Sequence, residues 1–134
     1  MESKSLIIAD GDVALVERLA NYFRGRGFTV KTAYDALTVL KLVHMETPDA
    51  FVLGINMPCN NGICVCEQLS AERRFGFMPA VLLTDRPEDA ATHNCHDLRA
   101  YYVAKTSGPV QDLAARIADV LDEVSSHVPE LIAE

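Results

Sequence analysis

The polar residues that could do chemistry in this chain lie where short apolar runs end. Asp10 and Asp12 follow the first run, Thr84 closes the fourth, and Lys105 comes just after the fifth. The third run ends at Gly54, which has no side chain. Carboxylates can bind Mg²⁺, but Asp10 alone makes a poor site because this ion needs near-octahedral oxygen coordination. No nucleophile with an adjacent base lies at these positions, so the residues do not predict an enzyme.

Five apolar runs predict the strands that would position these residues. They cover residues 6–9, 28–33, 50–53, 79–84 and 100–104. Uninterrupted apolar runs are typical of parallel strands covered on both faces, whereas the second run alternates in part, as an edge strand does. Helical segments between and after the runs predict a doubly wound α/β sandwich, in which function gathers at the carboxyl ends of the strands.

Capping residues predict where several helices begin and end. The first helix should begin after Asp12 and end at Gly25 and Gly27, and Asp35 should cap the second. Two further helices are predicted within residues 63–74 and 86–98. A clear amphipathic stripe predicts the last helix over residues 110–124. We therefore expect one domain over residues 1–124, with residues 125–134 as a tail or the start of a linker.

The residues at the strand ends resemble those of the receiver domain of two-component response regulators, over residues 6–124. Asp10 and Gly11 stand where that family has an acidic pair, and Gly54 stands where it has the phosphoacceptor aspartate. A Met57-Pro58 turn and Gly62 then follow, as in the family. Thr84 stands where the family has Thr or Ser at the end of the fourth strand. Tyr102 and Lys105 stand where the family has an aromatic residue shortly before a lysine.

The resemblance implies a flavodoxin-like, doubly wound five-stranded parallel sheet in order 2-1-3-4-5, with five helices in a three-layer α/β/α sandwich. In a working receiver the central aspartate attacks phosphorus and the acids hold Mg²⁺, so glycine at positions 11 and 54 implies a pseudo-receiver. No cofactor and no metal are expected, and Asp10, Asp12, Thr84, Tyr102 and Lys105 would be vestiges of the switch.

Two local predictions follow for the acidic residues and the lysine. Asp12 lies where the first helix needs a cap, so it should serve as that cap rather than as a metal ligand. Lys105 faces Asp10 without a phosphoryl group or metal between them, which predicts that the two pair directly or through water. An equal alternative is a solvated surface lysine.

The resemblance also implies phosphorylation-independent binding of a protein partner, or self-association. The surface would be made by the predicted fourth helix, the fifth strand and the last helix. Two alternatives stay open: a receiver that still accepts phosphate at Asp12 or Asp10, and a flavin- or nucleotide-binding flavodoxin-like protein. A third alternative is a metal or redox role for Cys59, Cys64 and Cys66.

Composition limits the other classes of function. The net charge is -7 and the pI is near 5.0, which argues against a direct nucleic-acid surface because such surfaces need clustered Lys and Arg. The apolar residues before Asp10 are too few for a secretory signal or a membrane span. We expect a cytoplasmic protein without membrane contact.

Overall fold

The computed structural model describes residues 4–55, 65, 80–85, 100–105 and 108–133. All five predicted strands are present. They are β1 (Ser5–Ala9), β2 (Thr29–Ala33), β3 (Ala50–Gly54), β4 (Ala80–Thr84) and β5 (Ala100–Ala104). β3 and β4 are buried along their whole length, which explains why their sequences lack polar alternation.

The strands form one parallel sheet in the order β2-β1-β3-β4-β5. The predicted fold class is therefore confirmed, including β2 as an edge strand. The register pairs Ala9 with Leu53 and Gly54 with Leu83. Because the strands are parallel, the residues that follow each of them meet at one edge of the sheet.

Three helices lie within the described residues: α1 (Val13–Gly25), α2 (Ala36–Met45) and α3 (Val110–Ala133). The predicted helices within 63–74 and 86–98 fall almost entirely outside the described residues. α3 does not end near residue 124 as predicted but continues through Pro129. Proline has no N–H to donate and its ring disfavours the interior of a helix, so the predicted end before Pro129 follows a real local preference that this helix does not obey. The domain boundary at residue 124 stays a prediction.

Both ends of α1 follow from local sequence. The Asp12 carboxylate accepts a hydrogen bond from the Leu15 N–H at 3.2 Å, which confirms the predicted cap. At the other end Gly27 takes a φ of +94°, a conformation that favours glycine. Its N–H donates to the Arg24 carbonyl, and the Phe28 N–H donates to the Phe23 carbonyl. This Schellman pattern satisfies two carbonyls that the helix leaves unpaired.

The core consists of two apolar layers, one on each face of the sheet. α1 and α3 contribute Phe23, Leu19 and Ile117 to the first layer, and α2 contributes Val39 and Val43 to the second. The spacing of Val13 from Val16, Ala20 and Phe23 predicts that it lies on the buried stripe of α1, but it is 53% exposed. It is the first residue of the helix, and its neighbours Gly11, Asp12 and Ala14 are exposed as well.

None of the helices in the described part of the chain combines the length and the apolar character needed to cross a membrane.

Candidate functional site

The carboxyl edge of the sheet brings together residues from four strand ends. Asp10 follows β1, Gly54 ends β3, Thr84 ends β4 and Lys105 follows β5. Asp10 and Thr84 are 2% and 3% exposed, and they are the buried polar residues of the described chain. The edge is therefore a place where polar groups are withdrawn from water, which requires each to find a partner.

Asp10 is held through both of its carboxylate oxygens. Oδ1 accepts a hydrogen bond from the Asp12 N–H at 2.9 Å, and Oδ2 lies 2.8 Å from Nζ of Lys105. The geometry at Oδ2 is that of a close ion pair without an aligned hydrogen bond. The predicted pairing of Asp10 with Lys105 is confirmed, and the contact is direct.

Lys105 reaches this carboxylate from β5, which lies three strands away from β1 in the sheet. β3 and β4 lie between β1 and β5, so the ammonium spans the tips of two strands. Its side chain is 20% exposed, against 3% for that of Asp10. The backbone N–H of Lys105 donates to the Thr84 carbonyl at 2.7 Å, which extends the β4–β5 pairing by one residue and fixes the base of the side chain.

Asp85 is a second acidic neighbour that sequence reasoning did not select. Its Oδ1 lies 3.7 Å from Nζ of Lys105, and its side chain is 65% exposed. The only signal in the sequence was its place directly after β4, beside Thr84. Because Asp85 is solvated, its attraction for the ammonium is weak compared with that of the buried Asp10.

The remaining predicted residues occupy the expected elements. Gly11 follows Asp10 in the turn before α1, and Thr84 is buried at the end of β4. Tyr102 pairs in register with Leu82 and packs half-buried against the apolar layer on the α2 face. Met57, Pro58 and Gly62, and the cysteines Cys59, Cys64 and Cys66 considered for a metal, lie outside the described residues.

The donors at this edge do not fit a magnesium ion. Both oxygens of Asp10 are engaged, one by a backbone N–H and the other by an ammonium. The carboxylate of Asp12 caps α1, and Gly11 and Gly54 offer no side-chain oxygen. The described part of the chain also holds no cluster of three or more His, Cys, Asp or Glu suited to a metal. A hard cation would have to displace Lys105 to reach the buried carboxylate oxygen Oδ2 of Asp10.

A parallel sheet in this order, with a buried aspartate, a strand-end threonine and a lysine at its carboxyl edge, defines the receiver class of signalling domains. The model of the response regulator receiver domain family matches residues 6–118. The chain belongs to this family and is a receiver domain of two-component signalling. Receiver domains act in general through contacts with other proteins.

The chain is similar to several longer regulators. It is 35% identical over 85 residues to response regulator MprA of Mycobacterium ulcerans, covering 63% of this chain and 35% of that protein. It is 32% identical over 123 residues to the probable transcriptional regulator ycf27 of Guillardia theta, covering 90% of this chain and 47% of that protein. The chain thus spans between about a third and a half of these relatives.

Among solved structures, the chemotaxis response regulator CheY4 of Vibrio cholerae superimposes with a TM-score of 0.78 at 17% identity. The match covers 89% of this chain and 99% of that one. At this identity the likeness concerns the fold, which it supports independently of the sequence match.

Proposed function

We propose that this chain is a pseudo-receiver: a receiver domain that binds a protein partner, or a second copy of itself, without being phosphorylated. Gly54 stands at the position where the family resemblance places the phosphoacceptor, and a glycine has no oxygen that could attack phosphorus. The chain would then have one binding state instead of two. Phosphorylation would have no part in selecting that state.

The observation that carries this proposal is the engagement of Asp10. Its carboxylate is the most deeply buried acid of the edge, and Lys105 lies 2.8 Å from it. In a working receiver the lysine would bind a phosphoryl oxygen. Here the ammonium already has a carboxylate partner, so it needs no phosphoryl group to balance its charge, and the carboxylate needs no metal to balance its own.

The partner surface that we propose includes β5 and the first part of α3, together with the predicted helix within 86–98. Tyr102 supports this choice because it lies on β5 and is only half-buried. With Lys105 held by Asp10, the end of β5 next to Tyr102 is anchored. We propose that this anchoring keeps the surface in one arrangement.

Intact-mass spectrometry tests the proposal directly. The purified chain is incubated with Mg²⁺ and a small phosphodonor such as acetyl phosphate, with a receiver that retains its aspartate as the positive control. We expect the control to gain a phosphoryl group and this chain to keep its mass. A labile gain of one phosphoryl group would contradict the proposal.

Two variants separate the alternative acceptors if a phosphoryl group is gained. Loss of the label in Asp12→Ala would assign it to Asp12, whose carboxylate is exposed, and loss in Asp10→Asn would assign it to Asp10.

Sedimentation velocity over a range of concentrations tests self-association. We expect the same distribution of species with and without the phosphodonor.

We further propose that the domain has no enzymatic activity and works in the cytoplasm, without direct contact with nucleic acid or membrane. The net charge of -7 supports the exclusion of nucleic acid. An absence of flavin colour in the purified protein would remove the flavodoxin-like alternative, which shares the fold but not the family.

A further inference from the structure

The space beside Gly54 is already filled by another residue of the chain. A Cβ atom added to Gly54 would lie 2.2 Å from Oδ2 of Asp10, 2.7 Å from its Cγ and 3.2 Å from its Cβ. The first two distances are far shorter than the roughly 3.5–4.0 Å at which carbon atoms pack against their neighbours. Any residue other than glycine at position 54 therefore collides with Asp10 as it stands.

The backbone itself does not require glycine at this position. Among the described glycines, only Gly27 has a positive φ, so an L-residue at position 54 would meet no torsional barrier. The need for glycine comes from the neighbouring side chain. Ala9 pairs with Leu53, which places Asp10 beside Gly54 at the tips of two adjacent strands.

Asp10 is fixed in this space from two directions. The Asp12 N–H donates to Oδ1, and the ammonium of Lys105 contacts Oδ2. Turning the side chain about χ1 would move Oδ2 and Cγ away from position 54, but Cβ would stay at 3.2 Å, which is still a tight contact. Turning it would also break both polar contacts of a buried carboxylate, which is costly.

We infer that the Asp10 carboxylate has two roles at this edge of the sheet. It occupies the room that a side chain at position 54 would need, and it positions the ammonium of Lys105. Gly54, Asp10 and Lys105 then form one coupled unit. This goes beyond the proposed function because it assigns Asp10 a positioning role that holds whether or not another aspartate accepts phosphate. It also means that an aspartate introduced at position 54 must compete with Asp10 for one space and one ammonium.

A double-mutant cycle tests the steric half of the inference. We expect Gly54→Ala to lower the folding equilibrium constant by about 10-fold or more, as overpacking of a filled site does. In an Asp10→Ala background the same change should cost less than about 3-fold, because Oδ2 and Cγ are gone. Gly25→Ala is the matched control, since a Cβ there meets nothing within 4 Å. Equal effects of Gly54→Ala in both backgrounds would overturn the inference.

Amine labelling tests the positioning half and does not depend on the stability of any Gly54 variant. The natural chain and Asp10→Asn are treated briefly with an acylating reagent, and Lys105 is followed by peptide mass spectrometry. We expect the labelling rate of Lys105 to rise several-fold in Asp10→Asn, because in the natural chain the side chain must leave its contact with the Asp10 carboxylate before its amine can reach the reagent. The exposed Lys41 should keep its rate. An unchanged rate at Lys105 would show that Asp10 does not hold it.

Different results would contradict the pseudo-receiver proposal and the inference about Asp10. Phosphorylation of the natural chain would contradict the pseudo-receiver proposal, yet the labelling contrast in unphosphorylated protein would stand. Conversely, equal labelling of Lys105 in both proteins would remove the positioning role of Asp10 while leaving the phosphorylation result unaffected.

Discussion

Asp10 and Lys105 form a direct ion pair across the tips of two intervening strands, with 2.8 Å between Oδ2 and Nζ. The carboxylate is almost fully buried and the ammonium is partly exposed. Such an asymmetric pair is held mainly by the cost of leaving the buried carboxylate without a counter-charge.

Removal of the lysine should therefore destabilise the fold strongly. We expect Lys105→Met to lower the free energy of unfolding by about 2–3 kcal/mol, at the low end for a broken buried pair because the lysine is partly solvated. Urea denaturation followed by circular dichroism measures the change. Asp10→Asn combined with Lys105→Met should recover most of the loss, because no buried charge remains. A double variant as unstable as Lys105→Met would contradict this reason.

Asp12 should matter for stability through its cap and not through a metal. Asp12→Ala removes the acceptor for the Leu15 N–H, and we expect it to lower the free energy of unfolding by about 1 kcal/mol. Asp12→Asn retains an acceptor and should cost clearly less. The midpoint of urea denaturation, measured with and without Mg²⁺, should not depend on the ion. A Mg²⁺-dependent midpoint that Asp12→Asn abolishes would reassign Asp12 as a ligand.

Asp35 should give part of the stability its pH dependence. The Thr38 N–H donates to its carboxylate at 2.8 Å and holds the pKa of Asp35 below its ordinary value of 3.8. A lowered pKa in the folded state means that the contribution is complete above the ordinary pKa and is lost as the pH falls through the folded value.

The melting temperatures of the natural chain and Asp35→Ala, measured at a series of pH values, check this expectation. The variant should melt lower near neutral pH, and the two curves should converge as the pH falls below 3.8. Asp35→Asn keeps a neutral acceptor, so its difference from the natural chain should be smaller at neutral pH. If the difference in melting temperature between the natural chain and Asp35→Ala grew as the pH fell, the expected direction of the pH dependence would be wrong.

Phe23 should be the most sensitive position of the α1 face. Its ring is fully buried and packs edge-to-face against Tyr22 and Phe28, with centroids 5.2 and 5.3 Å apart. We expect Phe23→Ala to cost about 3–5 kcal/mol of unfolding free energy, since it leaves a cavity and removes both ring contacts. Met45→Ala is the control, because Met45 is 77% exposed and should change stability by less than about 0.5 kcal/mol.

Most of the fold within the described residues could be predicted because its signals are local. Strands buried on both faces must be apolar throughout, and an edge strand alternates in part, as β2 does, so these patterns marked all five strands. Asp12 and Gly27 marked the ends of α1, because an unpaired N–H needs an acceptor and a left-handed residue favours glycine. The end of α3 was missed, since Pro129 suggested a break that the helix does not make.

The candidate site could be predicted only in part. The residue types at the strand ends indicated that Asp10 and Lys105 would pair, because parallel strands bring their ends together. The proximity of Asp85 to the same ammonium had no clear signal, as an exposed aspartate after a strand is common. The exposure of Val13 was also missed, because periodicity shows which residues share a face but not how far the sheet extends beneath them.

By itself the sequence determined the strand order expected of the family, the glycines at positions 11 and 54, and the acid and base at the carboxyl edge. Only the tertiary structure decided where the Asp10 carboxylate lies. Its position depends on strand register, on the reach of Lys105 over two strand tips and on the room that the missing side chain of Gly54 leaves for Asp10. Those are distances between residues far apart in the chain, and no local pattern encodes them.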